Sequence, residues 1–422
     1  MRFIRVGICL LIAFSVLAFG GVEEWAEATL EVGAALLFLY WAVNQYRRGS
    51  DQLLIPPLVI PLVAFALVVL LQLVTRSTVS SYHTRTELQL LIAYVLVFFL
   101  MSQAFTNTSD WRGLVWFLMV LGFFVSIFGI LQQLTFNGKL YWIREMRYGG
   151  LPFGPYVNRN HFAAFTELVI PVALVPLVLG KVRRERLALV SLFALVPIVA
   201  LLLSASRGGI ISFAVELIIL FLLLTLRRVW GRHVFAGGIL VLAAVLAVSW
   251  IGVHKVLQRF SGSQFTEVSA GKRASMRQDT WRIFLDHPVL GTGLGTLQLV
   301  FPPYESHYDG KIVNHTHNDY LEALAETGLL GGICCGWFLI VVLLKSARAS
   351  GELGSSFVSA LNLSGLLGCS GLLVHSFVDF NLHIPANALL FFVAAHLATA
   401  SPQPSISGMP ENGNPRRRSR KH

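Results

Sequence analysis

Charge is scarce in this sequence. Asp, Glu, Lys and Arg supply 13% of the 422 residues, 55% are hydrophobic, and mean hydropathy is +0.67. Soluble domains carry roughly twice that charged fraction, so a polytopic membrane protein is expected. Cysteine is rare too. Cys9, Cys334, Cys335 and Cys369 all sit in apolar runs with no Cys-x-x-Cys or Cys/His ligand spacing. That argues against a disulfide framework or a thiolate zinc site and leaves four small core residues. No internal repeat is visible. The glycines of "GTGLG" at 291–295 lack the strand–helix context of a dinucleotide fingerprint.

What is abundant is apolar sequence. Runs long enough to span a bilayer, about 20 residues each, fall near 3–21, 26–44, 53–74, 88–105, 113–134, 161–180, 187–204, 209–226, 235–252, 322–344, 355–374 and 384–400. The expected fold is an all-α bundle of about twelve transmembrane helices. Glu216, inside the eighth run, should face the bundle interior and find a partner there. The formal net charge of +11 would suit nucleic acid, but its placement does not. Alternate loops hold Arg47 and Arg48, Arg112, the Lys181–Arg186 cluster, Arg227, Arg228 and Arg232, then Lys345 and Arg348. Arg2 and Arg5 in front and "PRRRSRKH" behind lie on the same side. The positive-inside rule then puts both termini in the cytoplasm and offers no nucleic-acid partner. The first run resembles a signal peptide, yet "AEA" at 26–28 lies too far beyond it, so an uncleaved first span is expected.

Three parts follow: N-terminal transmembrane helices over 1–134, a catalytic membrane domain over 135–400 that includes a long outer loop at 253–320, and a disordered basic tail over 401–422. In the long loop, "KRASMRQDTWRIFLDHP" sets Arg273, Arg277, Trp281 and Phe284 on one helix face. Pro288 should stop that helix, and "GTGLG" should turn.

Polar residues from separate loops fall on the outer side. They include Asn158, Arg159 and Asn160 of "VNRNHF", Arg207 of "SASRGG", Arg277, His315, His317, Asp319, Glu322, His375 and Asp379. Alone, Arg207 reads equally as an interfacial anchor. His315-x-His317-x-Asp319 raises the question of a metal, but no further His/Cys cluster closes the shell, so none is expected. Asp319 and Glu322 have the Asp-x-x-Glu spacing of a helix N-cap pair. That leaves His317 at the water boundary, where a histidine suits proton transfer.

His317-Asn318, nine residues, Gly328, two residues, Gly331 resembles the His-Asn-x9-Gly-x-x-Gly pattern of the O-antigen ligase family. Its wider superfamily holds O-antigen polymerases and bacterial O-oligosaccharyltransferases. "VNRNHFAAF", "SASRGG", "RQDTW…HPVLGTGLG" and "HSFVDFNLHIPANA" stand in the family's order, over about 140–390. The resemblance implies a glycosyltransferase in the bacterial inner membrane, with its active site facing the periplasm and no cofactor. The donor would be a polyprenyl-diphosphate-linked glycan, and the acceptor lipid A-core or another glycan, with membrane lipid around both. His317 would be the catalytic residue. Arg207 and Arg277 would hold the diphosphate, with Asn160, Arg159 and Asn318 binding substrate. Polymerisation or transfer to protein remains an alternative acceptor choice. A transporter is a further alternative, disfavoured because the polar groups gather at one surface rather than at mid-membrane.

Overall fold

The computed structural model describes residues 1–49, 53–145, 151–251, 269–349 and 356–401, without the side chains of 250, 251, 270, 348 and 349. Most of the basic tail and the first part of the long loop lie outside the described residues.

Backbone N–H and C=O groups have no water to bond in a bilayer core, so a single-chain span without a barrel must be helical. The chain obeys this rule. Its helices are α1 Arg2–Leu17, α2 Glu24–Arg48, α3 Val59–Thr75, α4 Ser81–Ala104, α5 Thr108–Leu134, α6 Arg159–Val178, α7 Leu187–Ser204, α8 Arg207–Leu226, α9 Arg232–Ile251, α10 Ala270–Asp286, the single turn α11 Leu297–Val300, α12 Asp319–Ala349, α13 Phe357–His375 and α14 Pro385–Ala398. All except α10 and α11 coincide with the apolar runs. Among the described residues nine helices are long and apolar enough to cross a membrane, and α3 and α14 are shorter apolar helices. The strands described are a small hairpin, β1 Lys139–Leu140 with β2 Arg144–Glu145. It docks on the α1–α2 junction through Tyr141 Oη to Leu17 O (2.6 Å) and Arg144 to Glu23 (2.5 Å).

α6 is the hub. Every residue of it is buried, and it packs against α5, α7, α8, α9, α13 and α14. Close approach to α8 needs Gly209, where a Cβ would press on Ala163. Peripheral helices turn Leu36, Leu39, Ile218 and Phe221 outward, as a lipid-facing surface requires. Glu216 does face the interior, at 2% exposure, but both carboxylate oxygens lack a hydrogen-bond partner among the described residues. The partner expected for it is not among the described residues. Its neighbour across the bundle is Gly371 of α13, whose lack of a side chain makes the room.

The start of α6, the α7–α8 junction, the start of α12 and the α13–α14 connection meet at one end of the bundle. The long loop folds onto this end. α10 stops at Asp286, and Gly291, Gly293 and Gly295 follow with φ of +68°, +110° and +73°. Glu326 of α12 braces this turn by accepting from Gly295 N and Leu297 N, each at 2.9 Å. Gln72 of α3 donates to Leu290 O (2.5 Å) and Glu326 O (2.7 Å) and accepts from Leu294 N. α12 is broken at Gly328, with φ +63° and ψ −165°. A Cβ there would collide with the Val289 carbonyl, and Leu329 N donates to Pro288 O at 2.8 Å. The first glycine of Gly-x-x-Gly is thus the point where the loop is sewn into the membrane helix.

Candidate functional site

His317 stands just before α12, with φ +53°. A left-handed conformation costs a non-glycine residue about 1–2 kcal/mol, so the surroundings must over-determine it. They do. Thr316 Oγ1 donates to Asn318 O (3.1 Å), and Glu322 accepts from Thr316 N (2.9 Å). Asn318 Oδ1 accepts from Leu321 N (3.0 Å), and its amide donates to Phe377 O (3.1 Å). The helix cap is therefore Asn318. The expected Asp319–Glu322 capping pair is corrected, because Asp319 lies one residue inside the helix and its carboxylate is turned away. It accepts from His383 Nδ1 (2.8 Å) and Leu382 N (3.1 Å).

The ring of His317 meets Asp379, from the α13–α14 connection, with Nδ1 to Oδ1 at 3.0 Å. The other carboxylate oxygen accepts from Asn160 Nδ2 at 2.7 Å, and Phe380 N donates to Oδ1 at 3.0 Å. Asp379 is 1% exposed. Burial alone would raise its pKa. The hydrogen bond from His317 and the charges of His317, His161 and His375 outweigh burial and hold the carboxyl below the usual range. An ionised carboxylate only accepts, so His317 Nδ1 carries the proton in this pair. In the neutral ring Nε2 is then the basic nitrogen. His317 lines a cavity of about 1700 Å³, walled on its polar side by Asn158, Asn160, Arg273 and His315. Leu62, Phe65, Leu90, Phe338 and Phe391 form an apolar lobe of the same cavity, continuous with the spans.

The structure separates the other expected site residues. Asn160 joins the dyad through Asp379. Arg159 is buried, with Nη1 3.5 Å from Ser204 O at the end of α7. Neither Arg207 nor Arg277 is on the cavity wall. Arg207 opens α8 after a Ser206 cap and is exposed. Next to it, Gly208 leaves room for His375 and Val378. Arg273, one turn before Arg277 on α10, donates to Val378 O at 3.0 Å. So Gly208, beside Arg207, and Arg273, one turn from Arg277, both meet Val378. Among the described residues the guanidinium groups of Arg207 and Arg277 have neither a hydrogen bond nor an ion pair. On the same face, Phe284 is buried and Trp281 is 44% exposed.

A second cluster closes around His315. Its Nδ1 is 2.6 Å from Glu322 Oε1, and His383 Nε2 is 3.4 Å from that oxygen. The three donor atoms lie within 4.8 Å of one another. The sequence offered no further His/Cys cluster near His315; in the fold, the α13–α14 connection brings His383 to it and to Glu322. Burial works against a charge on His383. Glu322 and the Asp319 hydrogen bond override that and raise its pKa well above the ordinary histidine value.

Sequence reasoning missed two things here. Asp379 was visible as an outer acid inside "HSFVDF", but no spacing tied it to a histidine 62 positions away. His383 stood in the same quoted stretch without a role.

Residues 192–336 match the family model described as O-antigen ligase. No curated protein matches the chain. The matched stretch holds Arg207, Arg277, His317-Asn318, Gly328 and Gly331, and stops short of Asn160 and Asp379 on either side. The resemblance read from the motifs is thus shown for this stretch, in a membrane bundle.

Proposed function

We propose that the protein is an inverting glycosyltransferase that moves a glycan from polyprenyl diphosphate to an acceptor hydroxyl at the periplasmic face of the inner membrane. The observation that carries this reading is the Asn160–Asp379–His317 chain at the wall of a cavity that is polar at the bundle end and apolar between the spans. The apolar lobe takes the first part of the prenyl chain, and the polar end takes the sugar. In the transfer, His317 Nε2 accepts the proton of the acceptor hydroxyl as that oxygen attacks the anomeric carbon. The bond from that carbon to the phosphate oxygen breaks, and the diphosphate leaves with the bonding electrons on the opposite face. Asp379 stabilises the imidazolium, and Asn160 fixes Asp379 in place.

Arg273, which lines that cavity, meets the diphosphate there, and Arg207 and Arg277, off the cavity wall on the neighbouring α8 and α10, turn toward it when the donor binds. Planar guanidinium groups suit phosphate oxygens, and groups without internal ion pairs are available for them. Their charge stabilises the leaving group, so the transfer step itself needs no metal. Arg159 and Asn318 serve by holding the start of α6 and the cap of α12 behind Asn160 and His317. Both termini are cytoplasmic in this reading, and the acceptor is lipid A-core.

Deletion with glycan profiling tests the acceptor. Ligation predicts that long chains vanish from lipid A-core while lipid-linked polymer persists. Single repeat units remaining on the core would instead make the protein a polymerase. Solute flux across proteoliposomes without glycosyl transfer would overturn the enzyme reading.

A further inference from the structure

We propose that His315, Glu322 and His383 form a binding site for one zinc-class divalent cation, which clamps the loop before α12 to the turn before α14. The inference does not rest on the transfer reading. Two imidazole nitrogens and one carboxylate oxygen are a donor set that zinc accepts with a fourth, open position. Calcium and magnesium, which want oxygen ligands throughout, fit it poorly. The donors are already gathered. His315 Nδ1 and His383 Nε2 lie 2.6 and 3.4 Å from the same Glu322 oxygen, and all three are within 4.8 Å. Zinc bonds of about 2.0–2.1 Å ask for separations of roughly 3.3 Å between tetrahedral ligands, so small side-chain adjustments suffice.

The outer shell is in place as well. His383 gives its Nδ1 to Asp319 Oδ1 at 2.8 Å, and Asp319 is held in turn by Leu382 N. This is the carboxylate–histidine arrangement that orients a metal-binding imidazole by its other nitrogen. His315 is stacked on Phe380 at 4.2 Å, which sets its ring plane. Glu322 stays oriented by Thr316 N when it exchanges His315 for an ion. The site has an entry path, since His315, His383 and Asp319 all line the cavity. Glu87 of α4 lines the same cavity with no hydrogen bond or ion pair among the described residues.

Such an ion would tie the two segments that supply the dyad. His315 is two residues from His317, and His383 four from Asp379. The test is direct binding. Full-length protein purified in detergent is stripped with chelator and titrated with Co²⁺, the spectroscopic stand-in for Zn²⁺. The expected result is one ion per chain with the strong visible absorption of four-coordinate cobalt, displaced by Zn²⁺. His315→Ala and His383→Ala should each weaken binding by about 100-fold or more, and Asp319→Asn by about 10- to 100-fold. His317→Ala should bind as wild type does. Thermal unfolding guards against misfolded variants: Co²⁺ should raise the wild-type midpoint and leave that of His383→Ala unmoved. Absence of saturable binding by the wild type, or binding unchanged in His383→Ala, overturns the site.

Discussion

Asp379→Asn is the substitution that bears most directly on the dyad. The side chain keeps its volume in a position 1% exposed, so packing should survive. The change is in proton placement. Asp379 now accepts from His317 at 3.0 Å and from Asn160 at 2.7 Å. An asparagine has one accepting oxygen and one donating amide. If the oxygen stays on Asn160, the amide faces His317 Nδ1 and the Phe380 N–H and forces the imidazole proton to Nε2. The nitrogen that should take the acceptor's proton is then already occupied. If the oxygen stays on His317 and Phe380 N, the tautomer is kept but the charge that stabilises the imidazolium is lost. General-base assistance is worth about 10²–10⁴ in rate, which is about 3 to 5 kcal/mol of barrier. A wrong tautomer in a comparable acid–histidine pair costs about 10⁴ in kcat. The assay is transfer from a lipid-linked glycan donor by purified protein, with kcat and KM separated. A kcat loss in that range with donor KM near wild type is expected. His317→Ala should lose as much, and the double variant should be no worse than the worse single, since the residues act as one unit. An Asp379→Asn enzyme within tenfold of wild-type kcat would refute the assignment of Nε2 as the base.

Arg207→Ala and Arg277→Ala should each lower transfer by roughly a hundredfold at matched membrane levels, with Lys restoring only part, because a charge-assisted phosphate contact is worth a few kcal/mol; near-normal turnover by either removes that residue from the site. Gly328→Ala should lower the thermal midpoint and loosen the loop, since φ +63° and the Val289 carbonyl both exclude a Cβ; a cost of about 1–3 kcal/mol is expected, and an unchanged melt would contradict the junction described for it. Glu216→Leu should keep or raise the midpoint, because an unpartnered buried carboxyl contributes little to stability; a marked drop would reveal a partner outside the described residues.

The helices were legible because a bilayer imposes one demand, about 20 apolar residues per crossing, and that demand is local. The end of α10 before Pro288 and the glycine turn after it were legible for the same reason. The assignment at the head of α12 went wrong within one residue: Asn318 and Asp319 are both good caps, and the choice between them is made by Phe377 and His383, which the spacing cannot show. Asp379 and His383 escaped notice as partners because their contacts are tertiary, made by a connection that follows α13. The arginines were found as residue types, but their position relative to the cavity depends on how α10 folds over segment 376–380.

The complete burial of α6 has a consequence for biogenesis. A span with Arg159, Asn160, His161 and Glu167 buried and no face left for lipid is a poor guest in a bilayer by itself. Much of its cover is α13 and α14, and α13 begins at Phe357, so at 5–20 residues per second roughly 10 to 40 s of synthesis separate α6 from those neighbours. During that interval α6 must be sheltered by α5 and α7, by a chaperone or by the insertion machinery itself. Chains that stop before Phe357 should therefore be cleared by membrane proteases, while longer products persist. A pulse-chase of staged truncations would place that boundary between α12 and α14.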